Sequence, residues 1–108
     1  MPLDRALVNM PPNAARGEVV TVKTLIRHPM ESGFRPGPDG KLLPRDIIAS
    51  LVARYAGREV FRMELFPAIA ANPLVAFPIL ATETGEVEIR WTDEKGEFRV
   101  ERKTLTVT

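Results

Sequence analysis

Two stretches of the chain place an apolar residue at every second position, a spacing that selects β-structure. In Glu18–Arg27 the β-branched residues crowd together, and Val20, Val22, Thr24 and Ile26 fall on one face. In the second stretch Val87, Ile89 and Trp91 alternate with Glu86, Glu88, Arg90 and Thr92, the pattern of a strand with one face on a core and the other in water. No sustained amphipathic helix competes with them.

The remaining segments follow from these two. Leu3–Met10 is a short apolar-rich piece ended by Pro11 and Pro12, which lack the N–H that a central ladder requires, so it reads as an edge strand. Asn13–Gly17 reads as a turn. In Arg45–Ala56 the apolar spacing fits a helix or a strand. A strand from about Ile48 is preferred, because Ala56-Gly57 is followed at once by Val60, Phe61, Met63 and Leu65, and two such runs around a glycine make a hairpin. Phe66–Pro73 turns a corner, and Leu74–Ala81 is extended, with Pro78 confining it to an edge or a bulge. After the turn at Asp93–Gly96, Phe98, Val100, Leu105 and Val107 continue as a return strand, with Glu97, Arg99 and Glu101 on the polar face shared with Glu86 and Glu88. The expected fold is all-β, an immunoglobulin-like β-sandwich of about seven strands with one Trp on a late strand, in a single domain over residues 1–108.

Between the first strong strand and Pro44 lies His28-Pro29-Met30-Glu31-Ser32-Gly33, then a loop punctuated by Pro36, Gly37, Pro38, Asp39 and Gly40. It is long for a domain of this size, which marks it as a functional surface. The rest of the composition excludes more than it offers. Lys and Arg number 15 against 14 Asp and Glu, interleaved, so no cationic stripe for nucleic acid stands out. No run is apolar enough to span a bilayer, and the prolines and charges of the first fifteen or so residues leave no signal-peptide core, which alone reads as cytoplasmic. With no cysteine, disulfides, thiolate metal sites and thiol nucleophiles are out of reach.

Three constellations could carry chemistry. His28, Glu31 and Ser32 hold the ingredients of a hydrolytic site without the glycine-flanked elbow or oxyanion hole it needs, and a histidine bonded to local backbone is the simpler reading. His28 with Met30 and Met10 could form a soft copper site, which gives the alternative function of a small periplasmic copper-binding sandwich; methionines filling the core oppose it. Glu86 and Glu88 share a face, but as the solvated side of a hairpin with Arg90 and Arg99 as cross-strand partners. None of these gives positive support for an enzyme.

Several separated motifs together resemble the SoxZ family, the Z half of the SoxYZ sulfur carrier of bacterial sulfur oxidation. They are Lys23-Thr24-Leu25-Ile26 leading into His28-Pro29-Met30-Glu31-Ser32-Gly33, Asp39-Gly40-Lys41, Pro44-Arg45, Tyr55 with Gly57, Val60-Phe61, Pro67-Ala68-Ile69 with Asn72-Pro73, Phe77, and Trp91-Thr92-Asp93 with Gly96. The resemblance implies a non-catalytic subunit, without cofactor or metal, that pairs with SoxY, whose carboxy-terminal cysteine arm carries covalent sulfur intermediates to other Sox components. It also implies a periplasmic protein exported with its partner. Partner contacts are expected from His28, Met30, Glu31 and Phe34 in the long loop and from Asn72 and Pro73 at the corner, since motif residues on connections are harder to explain by packing. An apolar docking face left in water would favour a homodimer when the chain is alone.

Overall fold

The computed structural model describes Leu3 and residues 5–108, and its strands are β1 (Ala6–Asn9), β2 (Asn13–Ala14), β3 (Val19–Ile26), β4 (Ile48–Tyr55), β5 (Arg58–Glu64), β6 (Leu74–Leu80), β7 (Gly85–Asp93) and β8 (Phe98–Val107). They form two sheets, β1-β3-β6 and β2-β8-β7-β4-β5. The described residues contain no helix, and the arrangement is an immunoglobulin-like β-sandwich. The strand from Ile48 is the one expected, and its two-residue connection Ala56-Gly57 has positive φ at both positions (51° and 81°), as a primed hairpin turn requires. Pro78 sits on β6, an edge strand. The expected first strand shortens to Ala6–Asn9, at the other edge of the same sheet, and Asp4 lies outside the described residues.

The core is built by alternation. Val20, Val22, Ile26, Phe77 and Ile79 from the three-stranded sheet face Leu51, Ala53, Val87, Ile89, Trp91 and Leu105 from the five-stranded one, all buried. Thr24, the buried polar member of β3, donates its hydroxyl to the Val75 carbonyl at 2.8 Å, so it enters the core with its hydrogen bond made. Phe61 and Phe77 stack with centroids 4.4 Å apart and link β5 to β6.

Two expectations are corrected. Asn13–Gly17 is not all turn: Asn13 and Ala14 pair in parallel with Thr106 and Val107, fixed by Thr106 N–H to the Pro12 carbonyl (2.9 Å) and Thr108 N–H to the Ala14 carbonyl (3.1 Å). That pairing spans more than ninety residues, so no local pattern announces it. On β8, Arg99 and Glu101 do not share a face with Glu86 and Glu88, because the register sets them opposite Trp91 and Ile89 and successive residues of a strand point opposite ways. The register sets Trp91 opposite Arg99 and Glu88 opposite Arg102, which turns Arg99 toward the Trp91 side and leaves it paired with Glu101 of its own strand at 2.7 Å. Arg102 is the cross-strand partner of Glu86 (3.4 Å) and Glu88 (3.3 Å), while the Arg90 guanidinium lies 3.9 Å from the Phe98 ring centre.

At the end of the sandwich near the Ala56-Gly57 hairpin, the buried Tyr55 hydroxyl accepts N–H bonds from Thr82 (3.2 Å) and Glu83 (3.0 Å) and donates to the Glu83 carbonyl. One oxygen thereby fixes the β6–β7 connection. Tyr55→Phe is expected to lower stability by about 1–3 kcal/mol in urea unfolding, since it orphans three backbone groups at once; a change below about 0.5 kcal/mol would show that water replaces the hydroxyl freely.

Candidate functional site

The segment after β3 folds back on itself. Glu31 and Asp46 exchange backbone bonds of 2.7 and 2.8 Å, Leu43 N–H reaches the Arg35 carbonyl at 2.8 Å, Gly37 N–H reaches the Lys41 carbonyl at 2.7 Å, and Pro36 bridges Leu42. The long loop is therefore a narrow two-stranded ribbon with its tip at Pro38–Gly40, where the Asp39 carboxylate accepts from Lys41 N–H. Gly33 is required near its base: its φ is +90°, and a Cβ there would stand 3.1 Å from that of Arg45. Arg45 in turn grips Glu94 through two 2.7 Å bonds, tying the ribbon to the β7–β8 turn. Phe34 (77% exposed) and Leu42 (62% exposed) put apolar side chains into solvent on this ribbon.

Below the ribbon the chain's one histidine is buried. His28 Nδ1 accepts from Met30 N–H at 2.9 Å, which leaves the ring proton of the neutral imidazole on Nε2, and Nε2 lies 3.5 Å from the Asp46 carboxylate. The His28 backbone is clamped from the other side, where its N–H donates to the Asn72 side-chain oxygen (2.9 Å) and its carbonyl accepts from Asn72 N–H (2.8 Å). Met30, at φ +50°, is buried and its sulfur accepts from Ile48 N–H at 3.3 Å. His28, Met30, Asp46 and Asn72 thus join the end of β3, the ribbon, the start of β4 and the corner before β6.

Of the six residues expected at a partner interface, His28, Met30 and Pro73 are buried within the chain, Glu31 is partly buried, and Phe34 and Asn72 are exposed. Arg35 bonds Glu31 and holds its carboxyl below the usual carboxylate range. Ser32 Oγ accepts from Phe34 N–H at 3.2 Å. His28, Glu31 and Ser32 therefore bond to three different partners and do not assemble as a triad. The lone pairs of His28 Nδ1 and of the Met30 sulfur already serve backbone N–H groups, which competes with any soft metal. Among the described residues no cluster of three or more His, Cys, Asp or Glu side chains could hold a metal ion. Asp46 is an organising polar group that the sequence did not point to, and Tyr55 stood among the motif residues without its hydroxyl's role being legible, because their partners lie 15 or more residues away.

The architecture is that of an immunoglobulin-like β-sandwich bearing an exposed ribbon, with its polar loop residues bonded to one another. The SoxZ family, described as sulphur oxidation protein SoxZ, matches residues 8–104, and the chain belongs to it. No curated protein matches the chain in sequence. Among solved structures, the sulfur carrier protein SoxY from Chlorobium limicola f thiosulfatophilum is similar, with 14% identity over 95% of this chain and 78% of its own and a TM-score of 0.67. A superoxide reductase (neelaredoxin) from Ignicoccus hospitalis shares 16% identity over 95% of this chain and 80% of its own, with a TM-score of 0.72. A putative superoxide reductase from Thermotoga maritima gives 14% identity, 95% and 85% coverage and a TM-score of 0.72. At these identities the likeness is one of fold.

Proposed function

We propose that this chain is the non-catalytic subunit of a sulfur-carrier complex, pairing one to one with a SoxY-type chain whose cysteine bears the sulfur intermediates, in the periplasm and exported with that partner. The observation that carries this reading is the SoxZ family match over residues 8–104. Two features of the chain support it. The polar side chains of the His28–Asp46 cluster are consumed in holding the ribbon in place. The absence of cysteine means that this subunit cannot intercept a thiosulfonate or persulfide by thiol exchange.

Of the six expected interface residues, Phe34 and Asn72 present surface to a partner, while His28, Met30, Glu31 and Pro73 act by shaping the loop and the corner that carry them. Phe34→Ala should weaken binding of the SoxY-type chain by about 1–2 kcal/mol in a calorimetric titration, with unfolding unchanged. Wild-type affinity in that variant would remove the ribbon from the interface. Absence of any association between the wild-type chains would overturn the proposed function itself.

A further inference from the structure

The two sheets differ in what their outer faces offer. On the five-stranded sheet the face is salted with both charges, and these pair within it: Arg102 with Glu86 and Glu88, and Arg62 with Glu59 at 2.8 Å. On β1-β3-β6 the register lines up Leu7, Leu25 and Leu74 in one row across all three strands. At the far end of the same face Val19 stands opposite Leu80, with Thr21 and Pro78 beside them. Leu7 is 60% exposed, Leu74 69%, Val19 64% and Leu80 54%, so the alternation that built the core was repeated on the side without one.

The charged residues of this face carry one sign. Lys23 lies in the row after the leucines, and Arg5 and Arg27 lie beyond them, joined by Arg27 N–H to the Arg5 carbonyl at 2.8 Å. No carboxylate occupies any register position of the outer face on these three strands. A cavity of about 260 Å³ opens among Arg5, Leu7, Leu25, Arg27 and Asn72, which makes the face continuous with the corner.

Charge selects the occupant. A second copy placed leucine row on leucine row would bring Lys23 and Arg27 of both chains together in a desolvated contact, where like charges repel most strongly. A chain with apolar side chains flanked by carboxylates would instead match row for row. Three strands of four, eight and seven residues, about 4.8 Å apart and rising roughly 3.4 Å per residue, span only about 310 Å², below the roughly 800 Å² per partner of a standard interface, so the contact must also use the Asn72 corner.

We propose that the outer face of β1-β3-β6, centred on Leu7, Leu25 and Leu74 and rimmed by Lys23 and Arg27, is where the sulfur-carrier subunit docks, and that the carrier meets it with an apolar face edged by carboxylates. This rests on the function proposed above. It places the main contact on a sheet face, with the ribbon at most a secondary one.

The test is a calorimetric titration of the carrier subunit into the full chain as wild type, Leu74→Glu, Leu7→Glu, Arg27→Glu and, on the opposite sheet, Phe98→Ser. Each of the first three variants should keep its thermal unfolding and lose affinity by about tenfold or more, Phe98→Ser should bind as wild type, and wild-type affinity should fall as salt rises. Undiminished affinity in all three would overturn the docking face while leaving the proposed function intact. If the wild-type chains do not associate at all, the proposed function fails and this assignment with it. A wild-type chain that is dimeric alone, made monomeric by Leu74→Glu with carrier affinity unchanged, would give the face to a second copy and overturn the proposal.

Discussion

Replacing Trp91 with alanine is expected to remove about 3–5 kcal/mol of unfolding free energy, the range for losing a buried aromatic side chain. Trp91 is 1% exposed, on β7, with β4 and β8 on either side and Leu51 and Arg99 as its register partners. Such a loss is a large fraction of the roughly 5–15 kcal/mol that holds a domain of this size together. Urea unfolding measures it as a lowered midpoint at unchanged slope. A loss below about 1 kcal/mol would mean that the sheets can close around the cavity, and that the core is less specifically packed than its burial indicates.

The second large effect is expected at Met30, where alanine should cost about 2–4 kcal/mol. Two terms combine: a buried side chain is truncated, and Ile48 N–H at the start of β4 loses the sulfur it donates to. Met30→Leu separates them, since it restores volume without the acceptor and should recover most of the loss. The left-handed φ of residue 30 is unchanged in either variant, because alanine and leucine both carry the Cβ that makes it unfavourable. Carrier affinity per folded molecule should hold in Met30→Leu. If Met30→Ala leaves stability untouched and weakens only carrier binding, the side chain belongs to the interface and not to the base of the ribbon.

The period of two made the sandwich legible: every long strand from Val19 to Val107 lies where the alternation and the turn residues set it. What escaped depended on pairing across the fold. The Asn13–Ala14 strand exists only because the end of β8 lies alongside it, and the face on which Arg99 and Glu101 lie needed the β7–β8 register. At the site, the prolines and glycines between Pro36 and Gly40 signalled a long loop, and a histidine bonded to local backbone was the simpler reading, as His28 Nδ1 accepting from Met30 N–H shows. Met30 fills the core, as the reading opposed to a copper site had it, but the burial of His28 was not readable locally, because Asp46 and Asn72, which hold it, arrive from two later segments. The leucine row was likewise hidden. Leu7, Leu25 and Leu74 lie far apart in sequence and become neighbours only when β1 and β6 flank β3.

The most direct test of the account is the native mass of what this chain forms when co-expressed with the SoxY-type subunit of the same source. The account predicts a stable complex of one copy of each chain that persists through size-exclusion chromatography and weakens as salt is raised. Separate elution of the two chains over the whole salt range would contradict it.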